Sequence, residues 1–374
     1  MLAVAAAAMA CHSEPAPAPA LRFLHTFGPA ETEALNQALA GREPRVETSL
    51  VPFARGQSVI GALLRAGSDE CPDLIRIDAT WLPALVEAGL LAAPPTALAH
   101  RGWLPEAEEL GREGGTLWGA PQTVDGLAVV YRPAVVPEAA RVRSIEDVLA
   151  AGAAAQTRGA ARHALGLRVD GYWLIPFLRE AGVEVTSDAA GRDAARAAVA
   201  RFAGLFASGA AAPPAAPGAE AAEEARRFRA GEVALLVTGP WALADVSGGD
   251  LAAVAAVALP GAPRGGQLLV VPRCARAAEA AWQLAAELTA PAIQIDWARR
   301  FGTVPTTAEA MAAVGGLSRQ MYEALRGARP LPRDAATPLL FDDLNPALAA
   351  VVAGDATVEE AMAGVAKAWG RLRR

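Results

Sequence analysis

Between Leu21 and Gly89 the chain alternates short apolar strands with helical repeats, and this constrains its fold more than any other feature. Leu21 to Phe27 alternates as a half-buried strand does, and Glu31 to Leu39 has the apolar spacing of a helix. Val46 to Val51 reads as a second strand and Val59 to Arg65 as a second helix. Pro72 to Asp78 reads as a third strand ending in a polar turn, and Trp81 to Ala88 as a third helix closed by Gly89. A βαβαβ order predicts a parallel sheet with right-handed crossovers, so the chain is α/β.

The alternation continues downstream. Ala128 to Tyr131 is a short strand, and Ser144-Ile145-Glu146-Asp147 opens a helix with the Ser-x-x-acid capping box. Asp188 to Phe206 predicts one long helix, and Ala210 to Ala219 an exposed, irregular Ala/Pro/Gly loop. Leu268 to Val271 predicts a strand; Ala277 to Leu288, Ile293 to Arg300 and Glu359 to Leu372 predict helices.

The stretch from Phe228 to Trp241 is the most informative for function. A helical pattern ends at Gly231, where a residue tolerant of positive φ is wanted. Val233 to Val237 is short and apolar enough for a buried strand. Thr238-Gly239-Pro240 then turns the chain, with Pro240 suited to the first position of a helix. Trp241 therefore stands where a buried strand delivers the chain into a helix, the end of an open α/β sheet at which ligands bind.

The 374 residues suffice for two domains. A net charge of −6 argues against nucleic acid as a partner. No apolar run within residues 21–374 is long and uncharged enough to span a bilayer. Met1 to Ala10 is wholly apolar, Cys11 follows, and a Pro/Ala run leads to Ala20. Residues 1–20 resemble a bacterial lipoprotein signal with a linker, which implies lipid on Cys11 and a periplasmic or cell-surface location. Cys71 and Cys274 are expected as buried free thiols, with a disulfide between them the open alternative.

The four histidines, at 12, 25, 100 and 163, have no metal-ligand spacing. There is no nucleophile elbow, no dinucleotide fingerprint and no phosphate-binding loop. No enzyme activity, metal or cofactor is expected. Carboxylates and aromatics gather instead at strand ends: Asp78 with Trp81, Asp125, Asp170 with Tyr172 and Trp173, and Trp241. Carboxylates accept hydrogen bonds from hydroxyls, and flat aromatic faces cover the C–H faces of a sugar ring.

Several segments resemble the sugar-type solute-binding proteins of ABC importers, the maltose-binding-protein-like family. They are Pro72-Asp73-Leu74-Ile75 with Trp81 and Glu87 to Leu91, Gly115 to Pro121 running on to Tyr131-Arg132, Phe228 to Trp241, Phe301 to Thr306, and Gly354 to Ala361. The resemblance implies a two-lobe periplasmic-binding-protein fold, type II-like, hinged between lobes. It implies an N-terminal lobe of residues 21–124 and 266–315, and a C-terminal lobe of residues 125–265 and 316–374. It implies a sugar ligand, the permease subunits of an ABC importer as partner, and a monomer. Carried over one position at a time, it assigns ligand contacts to Asp78, Trp81, Asp125, Asp170, Tyr172, Trp173 and Trp241, with His25 and Phe341 as further contacts. The chain departs from the pattern at Arg132, where Asn is usual, and at Ile77, where some members carry a stacking tryptophan. The second departure argues against a maltose-like ligand. The alternatives are a binding protein for another small solute, such as a polyamine, and a glycoside-acting enzyme with a carboxylate pair.

Overall fold

The computed structural model describes residues 20–67 and 70–372. The proposed signal and linker, with Cys11, lie outside the described residues. The first three strands, β1 (Leu21–His25), β2 (Val46–Leu50) and β3 (Leu74–Asp78), pair in parallel with β1 in the middle. Helices Pro29–Leu39 and Phe53–Ala66 make the crossovers. The expected βαβαβ unit is present.

Next come β4 (Leu91–Ala92), a small hairpin of β5 (Arg112–Glu113) and β6 (Thr116–Leu117), and then β7 (Ala120–Gly126). One residue past β7 the chain enters a second sheet as β8 (Ala128–Tyr131). That sheet is completed by β9 (His163–Gly166), β10 (Val233–Thr238) and β11 (Ala255–Ala258), in the order β11-β8-β10-β9. The chain then returns to the first sheet through β12 (Pro263–Pro272), and β13 (Arg329–Pro330) adds an edge. The first sheet runs β13-β12-β3-β1-β2, with β4 and β7 also on β12.

All ten residues of β12 are buried, as are all seven of β7 and all six of β10. A strand covered on both faces needs an apolar reason for each side chain, so the polar residues on β7 and β12 stand out. One core cluster gathers Phe177, Phe202, Trp369 and Leu235 around the second sheet, and another gathers Phe23, Leu35 and Trp282 around the first. A third, with Ile77, Leu268, Val130 and Leu236, joins the two sheets.

Several expectations change. The long helix splits into a turn at Ala189–Gly191 and a helix at Asp193–Ala207, because Arg192 is extended between them. The Ala/Pro/Gly loop is not exposed throughout. Ala211 bridges Leu165 and Ala212 is buried, so the loop's start extends the sheet beside β9. The strand expected at Leu268 to Val271 is only the second half of β12. Around Trp241 the reading holds: Gly231 has φ of 75° just after a helix, and Pro240 begins a helical turn.

Candidate functional site

Strands β3 and β7 both run antiparallel to β12, one on each side of it. Both therefore end beside the first half of β12, which brings their terminal aspartates together. Gln267 of β12 is the meeting point. Its Nε2 donates to Asp78 Oδ2 at 3.0 Å and to Asp125 Oδ2 at 3.3 Å. The other Asp78 oxygen accepts from the backbone N–H of Thr80 at 2.8 Å and from its hydroxyl at 2.5 Å. Gln267 Oε1 is buried and has no hydrogen-bond partner among the described residues. Gly265 lets the carboxylate approach the backbone closely: a methyl group on it would lie 2.8 Å from Asp125 Oδ1 and 3.5 Å from the Tyr172 hydroxyl. Tyr172, carried by a helix of the second sheet's layer, thus reaches the carboxylates of the first.

The electrostatics follow from burial. Desolvation, reinforced by the charge of Asp78, pushes Asp125 up to about 7. Desolvation also raises Asp78, against the opposing bonds from Thr80 and Gln267 and the charge of Arg76. Burial holds Tyr172 well above its ordinary range, so it stays a hydroxyl donor. The nearby cation is Arg76, buried in β3. Its Nε donates to Gln122 Oε1 at 3.1 Å and its Nη1 to the Thr26 hydroxyl at 2.9 Å, with the guanidinium 4.2 Å from the Phe27 ring centre.

Asp170 caps the helix Gly171–Glu180, accepting from Tyr172 N–H at 2.7 Å and from Asn345 Nδ2 at 3.0 Å. Burial raises its carboxyl above the usual range. Its role as a cap is therefore structural whatever else it touches. Phe341 is half-buried against the Gly171 backbone, where a methyl group would meet its ring at 2.7 Å. Trp241 is 41% exposed, and its ring folds over Gly239. A Cβ at Gly239 would strike that ring at 2.3 Å and the Gly126 carbonyl at 2.5 Å. Trp241 therefore lies over the crossing from β7 to β8, close to Asp125.

Three expected contacts are placed in the core instead. His25 is 1% exposed, sits between Phe23 and Phe27, and uses Nδ1 to accept the Phe27 N–H at 3.4 Å. Burial and the Arg76 charge lower it to about 4, so it is neutral. Trp81 packs on Gly56, where a Cβ would meet its ring at 2.2 Å, and on Phe53. Trp173 is buried, and its Nε1 donates to the Val237 carbonyl at 2.8 Å. Its ring lies under the Arg168 guanidinium and meets the edge of Trp241 at 6.2 Å between centres, so Trp173 supports the exposed tryptophan. Sequence reasoning missed Gln267, Arg76 and Gln122.

A cavity of about 240 Å³ lies elsewhere, lined by Leu167, Val169, Pro213, Pro214 and Val352 among others. None of the nine expected contacts lines it. Of its charged walls, Arg168 pairs with Glu224 and Arg227 with Glu223, while Glu220 accepts from the backbone N–H of Gly218. Gln267 Oε1 is a buried acceptor without a partner among the described residues, and its amide nitrogen holds Asp78 and Asp125 together, so that cluster is the better site.

Residues 36–319 match the family model described as bacterial extracellular solute-binding protein. The chain belongs to this family. No curated protein matches it. Solved structures match this solute-binding protein along nearly its whole length. The GacH receptor of Streptomyces glaucescens, solved unliganded and with acarbose and an acarbose homolog, is 24% identical. It has a TM-score of 0.81, over 94% of this chain and 98% of that one. A solute-binding protein from Thermotoga lettingae, bound with alpha-D-tagatose, is 20% identical with a TM-score of 0.77, over 94% of this chain and 99% of that one. The Thermus thermophilus maltotriose-binding protein, bound with maltotriose, is 20% identical with a TM-score of 0.76, over 93% and 99%. These likenesses show that the solute-binding protein has the two-lobe fold.

Proposed function

We propose that this protein captures a sugar or oligosaccharide between its two lobes and delivers it to the membrane subunits of an ABC importer. The observation that carries the reading is the cluster of Asp78, Gln267 and Asp125, met by Tyr172 from the other sheet and flanked by exposed Trp241. Such a cluster offers acceptors for hydroxyls and an aromatic face for a ring. The sugars bound by the structural relatives support the same class of ligand. The lobes are residues 21–124 with 266–315, and 125–265 with 316–374. The two sheets support this division in part, with β7–β8 and β11–β12 as crossings, while β13 of the 316–374 segment pairs on the first sheet. Ligand held by both lobes favours the closed form, which the importer reads, and no bond is made or broken. The protein acts as a monomer outside the cytoplasm, anchored through lipid on Cys11. A Cys11→Ser variant carrying a complete signal is expected to leave the membrane fraction; equal partitioning of both forms would rule the anchor out.

A thermal-shift screen of the purified protein against a panel of mono- and oligosaccharides tests the reading, because a ligand bound only by the folded form raises apparent stability. A panel with no stabilising sugar, and an amine or peptide that does stabilise, sinks it. With a sugar in hand, Trp241→Ala is expected to weaken binding by about 1–3 kcal/mol at unchanged melting temperature. Gly265→Ala is expected to weaken it at least as much, because the methyl group crowds Asp125 Oδ1 and displaces the carboxylate. Its fold survives, because the only atom nearer than 3 Å to that methyl is a carboxylate oxygen. If both variants bind as tightly as the parent, the sugar lies elsewhere.

A further inference from the structure

The site has more acceptors than donors and one negative charge too many. Asp78 and Asp125 share the amide of Gln267, and the Gln267 carbonyl oxygen, on a side chain only 5% exposed, is unpartnered among the described residues. Reversing the amide would not help, since both carboxylates would then face an oxygen. Among the described residues, Arg76 is the cation whose charge acts on both carboxylates, and its own hydrogen bonds go to Gln122 and Thr26. Arg264 pairs with Glu109, Arg179 with Glu184, and Arg168 with Glu224. Glu31 accepts from the backbone of Gly28, Asp170 caps its own helix, and Tyr172 is uncharged. Above about pH 7, once Asp125 has lost its proton, the two carboxylates beside one guanidinium leave room for one further positive charge.

We propose that the solute is a basic sugar, with a protonated amine seated between Asp78, Asp125 and the carbonyl of Gln267. This rests on the sugar reading above and narrows it. An ammonium brings several donors and the missing charge to one point, where a hydroxyl brings one donor and leaves the charge unbalanced. Trp241 and Tyr172 then take the ring, and the methylene-like face beside a cation also suits an aromatic.

The test is calorimetric titration of the full protein at pH 7.5 with matched probes. Glucosamine is set against glucose and N-acetylglucosamine, and de-N-acetylated chitobiose against maltose and chitobiose. Putrescine is the ring-free control. The amine form is expected to bind at least tenfold more tightly than both neutral partners, and Asp125→Asn to erase that preference. A neutral sugar that binds as well as its amine analogue overturns the amine and leaves the sugar reading standing. Binding of putrescine with no binding of any ring overturns both. Failure of every amine-bearing sugar to bind overturns the proposal, and an unaltered preference in Asp125→Asn does so too.

Discussion

Asp125→Asn is expected to strengthen the fold at neutral pH while it weakens ligand capture. Asp125 is 7% exposed, and its one side-chain hydrogen bond, from Gln267, is long at 3.3 Å. Folding lifts its carboxyl from an ordinary value near 4 to about 7. Between those values the folded protein holds a proton that the unfolded chain has lost. Stability therefore falls as pH rises through that window and is level above it. Each unit is worth about 1.4 kcal/mol, so the charge costs on the order of 4 kcal/mol at pH 8. An amide of the same shape removes most of that cost. It also exchanges a charged acceptor for a neutral one, so binding is expected to weaken by about 1.5–3 kcal/mol. Denaturant unfolding at pH 8 and pH 4.5 checks the first half: the gain is large at the higher pH and nearly gone at the lower. A variant less stable than the parent at pH 8 would show that the carboxylate is well compensated in the fold.

His25 works in the other direction. Its folded value of about 4 lies below the ordinary 6.5, so the unfolded chain binds the extra proton between them. That contribution is present above 6.5 and lost as pH falls toward 4. In the parent the slopes of His25 and Asp125 oppose each other across this range. In Asp125→Asn the falling slope of Asp125 is gone, so stability is expected to rise with pH more than in the parent between pH 4 and 6.5. A profile unchanged from the parent's would show that Asp125 carries no such opposing slope.

The architecture was legible because alternation of strand and helix is a local signal, and the first three strands carry it cleanly. The convergence of Asp78 and Asp125 was legible only through resemblance, since 46 residues separate Arg76 from its partner Gln122 and 142 separate Gln267 from Asp125. Gln267 was hidden by Gly265-Gly266, which reads as a turn. In the structure these glycines let β12 lie close to β7: a methyl on Gly266 would strike the Thr123 carbonyl at 2.4 Å. Arg76 was hidden in a strand that otherwise reads as core. His25 had a usable signal that went unread. Leu21, Phe23 and His25 share one face of β1, and the two apolar members mark that face as the buried one. Trp81 and Trp173 carry no such signal, because an aromatic next to a strand end fills a core as readily as it lines a cleft.

Loss of the bond between Cys71 and Cys274 is expected to cost the most stability of any single covalent change. The two cysteines were expected as free thiols, and the structure joins them with Cα atoms 6.1 Å apart. Strand register explains the pairing. Ile75 faces Val270 across the antiparallel pair of β3 and β12. Four more residues outward along each chain bring Cys71 opposite Cys274. The bond closes a loop between residues 203 apart, which takes in the whole second sheet. On the chain-entropy account, closing so long a loop in the unfolded state is worth about 5 kcal/mol. The double variant Cys71→Ala/Cys274→Ala is expected to lose that much in denaturant unfolding, and the oxidised parent to match it only after reduction in the unfolded state, since Cys71 is buried. Ligand affinity should hold. Gln267 and Pro272 are five residues apart on β12, about 17 Å of extended strand, and the bond lies beyond Pro272. Equal unfolding midpoints for the variant and the oxidised parent would mean that the unfolded chain is already confined without the bond. A bond of this kind persists where thiols are oxidised, so material made in a reducing compartment should show the variant's stability and the parent's affinity.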